Sequence, residues 1–154
     1  MTDTLRCTVR QLAVGDVGPF RELLTVFAEA FDEADTYTGA QPSHDYLGEL
    51  LRGGNFIALV AERADRVVGG LAAYELKKFE RERSEIYIYD LAVAAAHRRE
   101  GIATDLINRL REIAATRGAY VIFVQADVGD QPAIELYTKL GTREDVLHFD
   151  IDVA

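Results

Sequence analysis

Ile86-Tyr87-Ile88-Tyr89-Asp90-Leu91-Ala92-Val93, followed after a short connection by His97-Arg98-Arg99-Glu100-Gly101-Ile102-Ala103-Thr104, decides how the chain folds. The first half is rich in β-branched and aromatic residues and reads as a strand. After the glycine, Leu106, Ile107, Leu110 and Ile113 recur at helical spacing, so the second half reads as a turn entering a helix. The first amides of a helix have no partners inside it, and the aligned peptide dipoles leave roughly half a positive charge there. A strand that feeds such a helix start through a glycine turn therefore suits a phosphate, and Arg98 and Arg99 add cationic donors at the same point.

Working outward toward the N-terminus, residues 67–74 and 56–60 read as two further strands around a charged turn at 62–66, an antiparallel hairpin. Residues 77–85 mix both signs of charge and read as a solvated connection. Before the hairpin, Tyr46, Leu47, Leu50 and Leu51 are expected on the inner side of a short helix that ends at Gly53-Gly54. Residues 32–37 read as an acidic loop. Phe20, Leu23, Leu24, Phe27 and Phe31 mark an earlier amphipathic helix with Asp16 as a candidate cap, and residues 9–12 a short first strand.

Toward the C-terminus, the helix runs to about residue 117 and ends at Gly118. Tyr120-Val121-Ile122-Phe123-Val124 is a near-continuous apolar run, as expected for a strand covered on both faces. Pro132 can open a helix with Ile134, Leu136, Tyr137 and Leu140 inward, stopped by Gly141. Residues 146–153 alternate, with Leu147, Phe149, Ile151 and Val153 on one face and His148, Asp150 and Asp152 on the other, the pattern of a last strand. The order is strand, two helices, three strands, helix, strand, helix, strand. This is an α+β arrangement, expected as a single domain over 1–154, since no linker divides it.

The 154 residues are 49% hydrophobic and 28% charged, with three prolines and no low-complexity run, which fits one globular unit with a substantial core. No N-terminal apolar leader or long apolar run is present, so a cytoplasmic protein is expected, without a membrane partner. Cys7 is the only cysteine, which excludes an internal disulfide and a cysteine-based zinc cage, and a passive thiol is expected. His44, His97 and His148 show no metal-ligand spacing, so no metal is expected. A net charge of −9 repels nucleic acid and concentrates cationic small molecules. Neither G-x-x-x-x-G-K-[ST] nor G-x-G-x-x-G occurs, which disfavours ordinary nucleotide sites.

Arg98-x-x-Gly101-x-Ala103, preceded by a strand ending in Leu-Ala-Val and followed by an apolar helix, resembles the pyrophosphate loop [Q/R]-x-x-G-x-[G/A] of the GNAT superfamily of acetyl-coenzyme A dependent N-acetyltransferases. Within it, the chain is similar to the type I aminoglycoside 3-N-acetyltransferases, the gentamicin resistance enzymes. The likeness is carried by Asp45-Tyr46-Leu47-Gly48, Leu71-Ala72-Ala73-Tyr74, Lys78-Phe79-Glu80, the run from Arg83 to Val93, His97-Arg98-Arg99, Val124-Gln125-Ala126-Asp127, Leu136-Tyr137-Thr138-Lys139-Leu140-Gly141 and His148-Phe149-Asp150-Ile151-Asp152. The N-terminal third resembles the family more loosely.

The resemblance implies a GNAT fold, a central mixed, mostly antiparallel sheet with helices on both faces, and a homodimer with the alternating final strand at its interface. It implies that backbone groups of Leu91, Ala92 and Val93 hold the acetyl carbonyl and pantetheine arm of acetyl-coenzyme A. The amides of Arg99, Glu100, Gly101, Ile102, Ala103 and Thr104, with the side chains of Arg98 and Arg99, would receive its pyrophosphate. Transfer to an amine needs a neutral nitrogen and an acid for the departing thiolate. Asp90 is the expected proton acceptor, since strict alternation puts it beside Ile86 and Ile88 on an apolar face where desolvation raises a carboxyl pKa. A β-bulge would reverse that register and turn Tyr89 or Glu85 inward instead. Tyr137 matches the tyrosine that many GNAT enzymes place beside the coenzyme sulfur, a general acid. Asp127, Asp150 and Asp152 are expected to bind a cationic aminoglycoside, with the acids of the early loop behind them. The alternatives are the same chemistry on a polyamine or protein amine, and a non-catalytic module that binds acyl-coenzyme A.

Overall fold

The computed structural model describes residues 7–154, so the first six residues of the expected domain lie outside the described part. The elements in chain order are β1 (Thr8–Gln11), α1 (Val17–Phe31), α2 (Ala34–Tyr37), α3 (His44–Arg52), β2 (Phe56–Arg63), β3 (Arg66–Lys77), β4 (Ser84–Val93), a 3-10 turn (Ala95–His97), α4 (Ile102–Arg117), β5 (Ala119–Val124) and α5 (Gln131–Leu140). The five strands form one sheet in the order β1-β2-β3-β4-β5. Neighbours are antiparallel as far as β4, and β4 and β5 are parallel.

Two apolar layers hold helices to the two faces of this sheet. On one face Ile57, Leu59, Leu71, Ile86 and Ile88 meet Leu106, Leu110 and Ile113 of α4. On the other, Phe56, Ala58 and Val60 meet Phe20, Leu23 and Phe27 of α1 and Leu47 of α3. Interior strand β2 supplies both layers by simple alternation, which is why its sequence is an unbroken apolar run. Its turn to β3 places Ala64 at φ 51° and Asp65 at φ 63°, the two left-handed residues that a two-residue hairpin needs.

Gly70 of β3 lies where α1 comes closest to the sheet. A Cβ there would overlap the Leu59 carbonyl oxygen and the Leu23 side chain, one of them rigid backbone. Gly70→Ala is expected to destabilise the protein by about 1–3 kcal/mol or more, the usual range for overpacking. Thermal unfolding should show a lowered Tm, and an unchanged Tm would mean that α1 can lift away freely.

Several local expectations are corrected by packing. Asp16 sits at the N-cap of α1 without capping it. Its carboxylate instead accepts from the Ala13 amide at 2.7 Å and pairs with Arg10 at 3.2 Å. The acidic loop contains a helical turn, α2, whose Tyr37 ring lies 5.7 Å from Phe27 and 5.8 Å from Phe31. On α3 Leu47 is buried and Leu50 and Leu51 pack partly buried against the same layer, as expected, whereas Tyr46, expected inside, is exposed. The charged connection keeps an irregular, mostly exposed bend over 78–83, but its end is drawn into β4: Ser84 is buried and its hydroxyl donates to Glu75 at 2.7 Å, and Arg117 pairs with the same carboxylate at 2.8 Å.

Two larger corrections concern the C-terminal third. β5 was expected to be covered on both faces, yet Tyr120 and Val121 are exposed. Residues 146–153, expected as a last strand, have no regular secondary structure and join no sheet. Cys7 is half-buried against the α4-side core.

Candidate active site

β4 carries the local irregularity that shapes the site. Ala72 opposes Asp90 while Ala73 opposes Ile88, so Tyr89 is an extra residue, a β-bulge. Before the bulge, Ile86 and Ile88 face α4. After it, Leu91 and Val93 take that face, and Ala92 joins the core beneath α1. Asp90 is thereby turned away from the face of Ile86 and Ile88, against strict alternation, and toward α1 and α2. The bulge brings neither Tyr89 nor Glu85 inward as a replacement. Tyr89 is largely exposed, and Glu85 is occupied by Lys78 at 3.1 Å and by the Tyr120 hydroxyl, which donates to it at 2.6 Å.

The bulge coincides with a parting of strands. β4 pairs with β5 only from Ser84 to Ile88, ending at Ile88 opposite Val124. Beyond it, Leu91, Ala92 and Val93 still pair with Leu71, Gly70 and Gly69 of β3, and among the described residues no strand lies on their other edge. That edge can accept an extended ligand as a strand would. One of its groups is partly engaged, since Arg98 Nε donates to the Val93 carbonyl at 3.2 Å.

The cleft leads to the start of α4. Arg99 at φ 63° and Gly101 at φ 82° wind the backbone so that the helix begins at Ile102 without any side-chain cap. The first helical bond is donated by the Asp105 amide to Gly101, and no protein acceptor among the described residues meets the amides from Arg99 to Thr104. Glu100 would be the nearest anion, but its carboxylate is turned to Arg63 of β2 at 2.9 Å. The Arg63 guanidinium also lies 3.0 Å from His97 Nδ1, and the same ring nitrogen is 3.8 Å from Glu100. Uncapped amides beside Arg98 and Arg99 make a cradle that fits a pyrophosphate.

Asp90 is half-buried, and the Tyr37 hydroxyl donates to its Oδ2 at 2.9 Å. Burial raises its carboxyl above the ordinary range, with the charge of Glu33 acting in the same direction and the Tyr37 hydrogen bond against it. Burial, reinforced by Asp90, pushes the Tyr37 hydroxyl far up, so it remains a donor. Tyr137 on α5 is pushed up to about 12, first by burial and then by the negative charges of Asp130 and Asp90. A carboxylate that is easily protonated and a phenol that stays protonated thus share one field beside the parting strands. Together they can take a proton and give one. Tyr37 and Glu33 have no local signature: Tyr37 meets Asp90 across 53 residues of sequence. The acidic run around them was the only hint.

Aromatic rings line the same face of the sheet. Tyr89 lies 6.1 Å from Tyr74 and 5.7 Å from Tyr87, and Tyr87 stacks on Phe123 at 4.7 Å. Asp127 follows β5 at the end where β4 parts from it, exposed in the turn that leads to α5. Asp150 and Asp152 are not brought to the cleft within this chain. Asp150 pairs with His148 of its own segment at 2.9 Å, and Asp152 meets no polar partner among the described residues.

A model of the acetyltransferase (GNAT) family matches residues 20–142. Among curated proteins, N-acetyltransferase 8B of Rattus norvegicus is 28% identical over 110 residues, covering 71% of this chain and 48% of the relative. The chain thus spans about half the length of the curated relatives it matches. Among solved structures, the aminoglycoside acetyltransferase HMB0005 from an uncultured soil metagenomic sample is 60% identical and overlays with a TM-score of 0.95, covering 96% of this chain and 99% of its own. The aminoglycoside acetyltransferase meta-AAC0020, from an uncultured soil metagenomic sample and in complex with sisomicin, is 30% identical with a TM-score of 0.91, covering 100% of both chains. The sheet that parts between β4 and β5, the uncapped start of α4 and the matched family model agree: this chain belongs to the GNAT family of acetyltransferases, whose acetyl donor is acetyl-coenzyme A.

Proposed function

We propose that this chain transfers acetyl from acetyl-coenzyme A to the 3-amino group of gentamicin-type aminoglycosides, in the cytoplasm, and so confers resistance. The observation that carries the reading is the half-buried Asp90, held by Tyr37 and facing the field of Tyr137 where β4 leaves β5. The two similar aminoglycoside acetyltransferases, one of them bound to sisomicin, support the substrate class. The chain's own surplus of acidic residues supports it as well.

Leu91, Ala92 and Val93 would hold the pantetheine arm along the open edge. The amides from Arg99 to Thr104, with Arg98 and Arg99, would hold the pyrophosphate. The bound coenzyme supplies a thioester whose acetyl carbon is open to attack. Asp90 accepts a proton from the incoming ammonium, directly or through water, and thereby exposes the nitrogen lone pair. Tyr137 donates its hydroxyl proton to the departing sulfur, and the second proton that the nitrogen sheds as the amide forms restores it, directly or through water. Tyr89 and Asp127 contact the aminoglycoside beside Asp90, and Glu85 contributes negative charge from its pair with Lys78. Asp150 and Asp152 add further carboxylates. The product is a neutral amide where an ammonium stood, which weakens the drug's attraction to ribosomal phosphates.

Purified protein given acetyl-coenzyme A should release free thiol when a single gentamicin component is added, and the product should carry acetyl on the 3-amino group. Silence across a panel of deoxystreptamine drugs would overturn the substrate class. Faster release with spermidine or a lysine peptide would move the same chemistry to another amine. Coenzyme binding by calorimetry without turnover of any amine would leave a binding module.

A further inference from the structure

We propose that Arg63 is a positioning residue for acetyl-coenzyme A: from the end of β2 it holds the Glu100 carboxylate away from the open amides at the start of α4, and so keeps that cradle free for the pyrophosphate.

The connection from His97 to Gly101 carries a conflict. Arg98 and Arg99 supply the positive charge that the cradle offers a phosphate, yet the next residue is a glutamate. Glu100 directly precedes Gly101, the N-cap of α4, which as glycine has no side chain to cap the helix. The helix therefore begins with unpaired amides at the positive end of its dipole, and both attract a carboxylate within reach. A glutamate side chain is long and flexible enough to fold back on them. Left alone, Glu100 would cap α4 as acids at helix starts ordinarily do, and would occupy the place of the ligand. Its charge would also repel the incoming phosphates.

Arg63 removes the conflict. It is the last residue of β2 and pairs with Arg66 across the hairpin turn, so the sheet fixes its backbone. One terminal nitrogen lies 2.9 Å from Glu100 Oε1 and the other 3.0 Å from His97 Nδ1. The guanidinium thus grips both ends of the segment that bears Arg98 and Arg99. Between those ends Arg99 stands at φ 63°, a left-handed conformation that a bulky side chain adopts only where its surroundings impose it.

Folding stability is a poor reason for this pair. Nε of the Arg63 guanidinium is buried and meets no partner among the described residues, and an unmatched buried donor is a cost. The pair itself is part-exposed, 21% on Arg63 and 37% on Glu100, and pairs of that kind add little. What the pair changes is where charge stands. With Glu100 neutralised by Arg63, the phosphates meet the undiminished field of Arg98 and Arg99. With Glu100 released, they meet a carboxylate at the mouth of the helix. The inference rests on the placement of the pyrophosphate at residues 99–104 under the proposed function, and is independent of which amine is acetylated.

Calorimetry with coenzyme A alone needs no amine. Arg63→Gln should weaken coenzyme A about ten-fold, the size expected when a carboxylate enters a phosphate site. The same substitution made in Glu100→Gln should cost about two-fold or less, because no carboxylate is left to release. In turnover, Arg63→Gln should raise the KM for acetyl-coenzyme A and not lower kcat at saturating coenzyme. An unweakened Arg63→Gln, or an equal loss in both backgrounds, overturns the proposal. Should Arg63→Gln fold poorly, Glu100→Asp keeps the arginine but draws the carboxylate back from it, and should weaken coenzyme A at least about three-fold. Wild-type affinity in that variant overturns the proposal as well. Arg98→Gln with Arg99→Gln separates the two levels. Unchanged affinity there removes the pyrophosphate from this loop, and Arg63 with it. A loss there beside an unweakened Arg63→Gln leaves the pyrophosphate in place and removes Arg63 alone.

Discussion

Asp90→Asn is expected to lower kcat/KM for the amine by about 10² to 10⁴, the usual contribution of a general base, while leaving the KM for acetyl-coenzyme A nearly unchanged. The substitution is nearly isosteric. The new amide oxygen can still accept from the Tyr37 hydroxyl, so the bulge and α2 keep their contact, and what disappears is the capacity to take a proton. In the wild type the acid limb of the pH–rate profile should fall above the ordinary carboxylate range, because burial raises this group. In the variant that limb should vanish.

Stability should move in the opposite direction. A carboxyl whose pKa is raised in the folded state favours folding while it is protonated, and that contribution is lost as the pH rises through the raised value. Near neutral pH the buried charge is a burden, so Asp90→Asn should raise Tm while it abolishes most activity. Wild-type turnover in the variant would remove Asp90 from the reaction, and a lowered Tm would show that Tyr37 needs the charge. A site that gives up stability for a poised carboxylate is the usual compromise between folding and activity.

Tyr137→Phe is expected to lower kcat by about 10² or more with little change in either KM, since only proton delivery to the departing sulfur is lost. The ring stays, so its packing against the α4-side core is kept and the fold should not suffer. Because the hydroxyl is pushed up to about 12, the phenol is protonated across the whole working range, and the wild-type profile should show no basic limb from this group near neutrality. Residual turnover in the variant should reflect the positioning of amine and thioester alone. An unchanged kcat would leave Tyr137 as a packing residue of α5, the role that an aromatic in a helical apolar stripe ordinarily has.

The two residues differ in how far they could be read before the fold was known. Tyr137 was expected on the inner side of its helix from spacing with Ile134, Leu136 and Leu140, and it lies there, half-buried. Helical period is a property of a few neighbouring residues, so nothing remote could change it. Asp90 was expected on the wrong face. One extra residue at Tyr89 reverses a two-residue period, and whether a strand accommodates a bulge depends on its partner β3, which is distant in sequence. The pairing of Asp90 with Tyr37 was likewise invisible, because it depends on α2 folding back over the sheet.

The order of elements from β1 to α5, apart from the helical turn of α2, and the glycine start of α4 follow from this sequence alone, since each rests on local periodicity and turn chemistry, whereas the mixed sheet with helices on both faces was implied by the GNAT resemblance. Three features were decided only in three dimensions: the face on which Asp90 stands, the exposure of β5, and the unpaired alternation of residues 146–153. Alternation tells a chain that it will be a strand with one apolar side. It does not name the edge that strand will join, because backbone hydrogen bonds are the same for every neighbour.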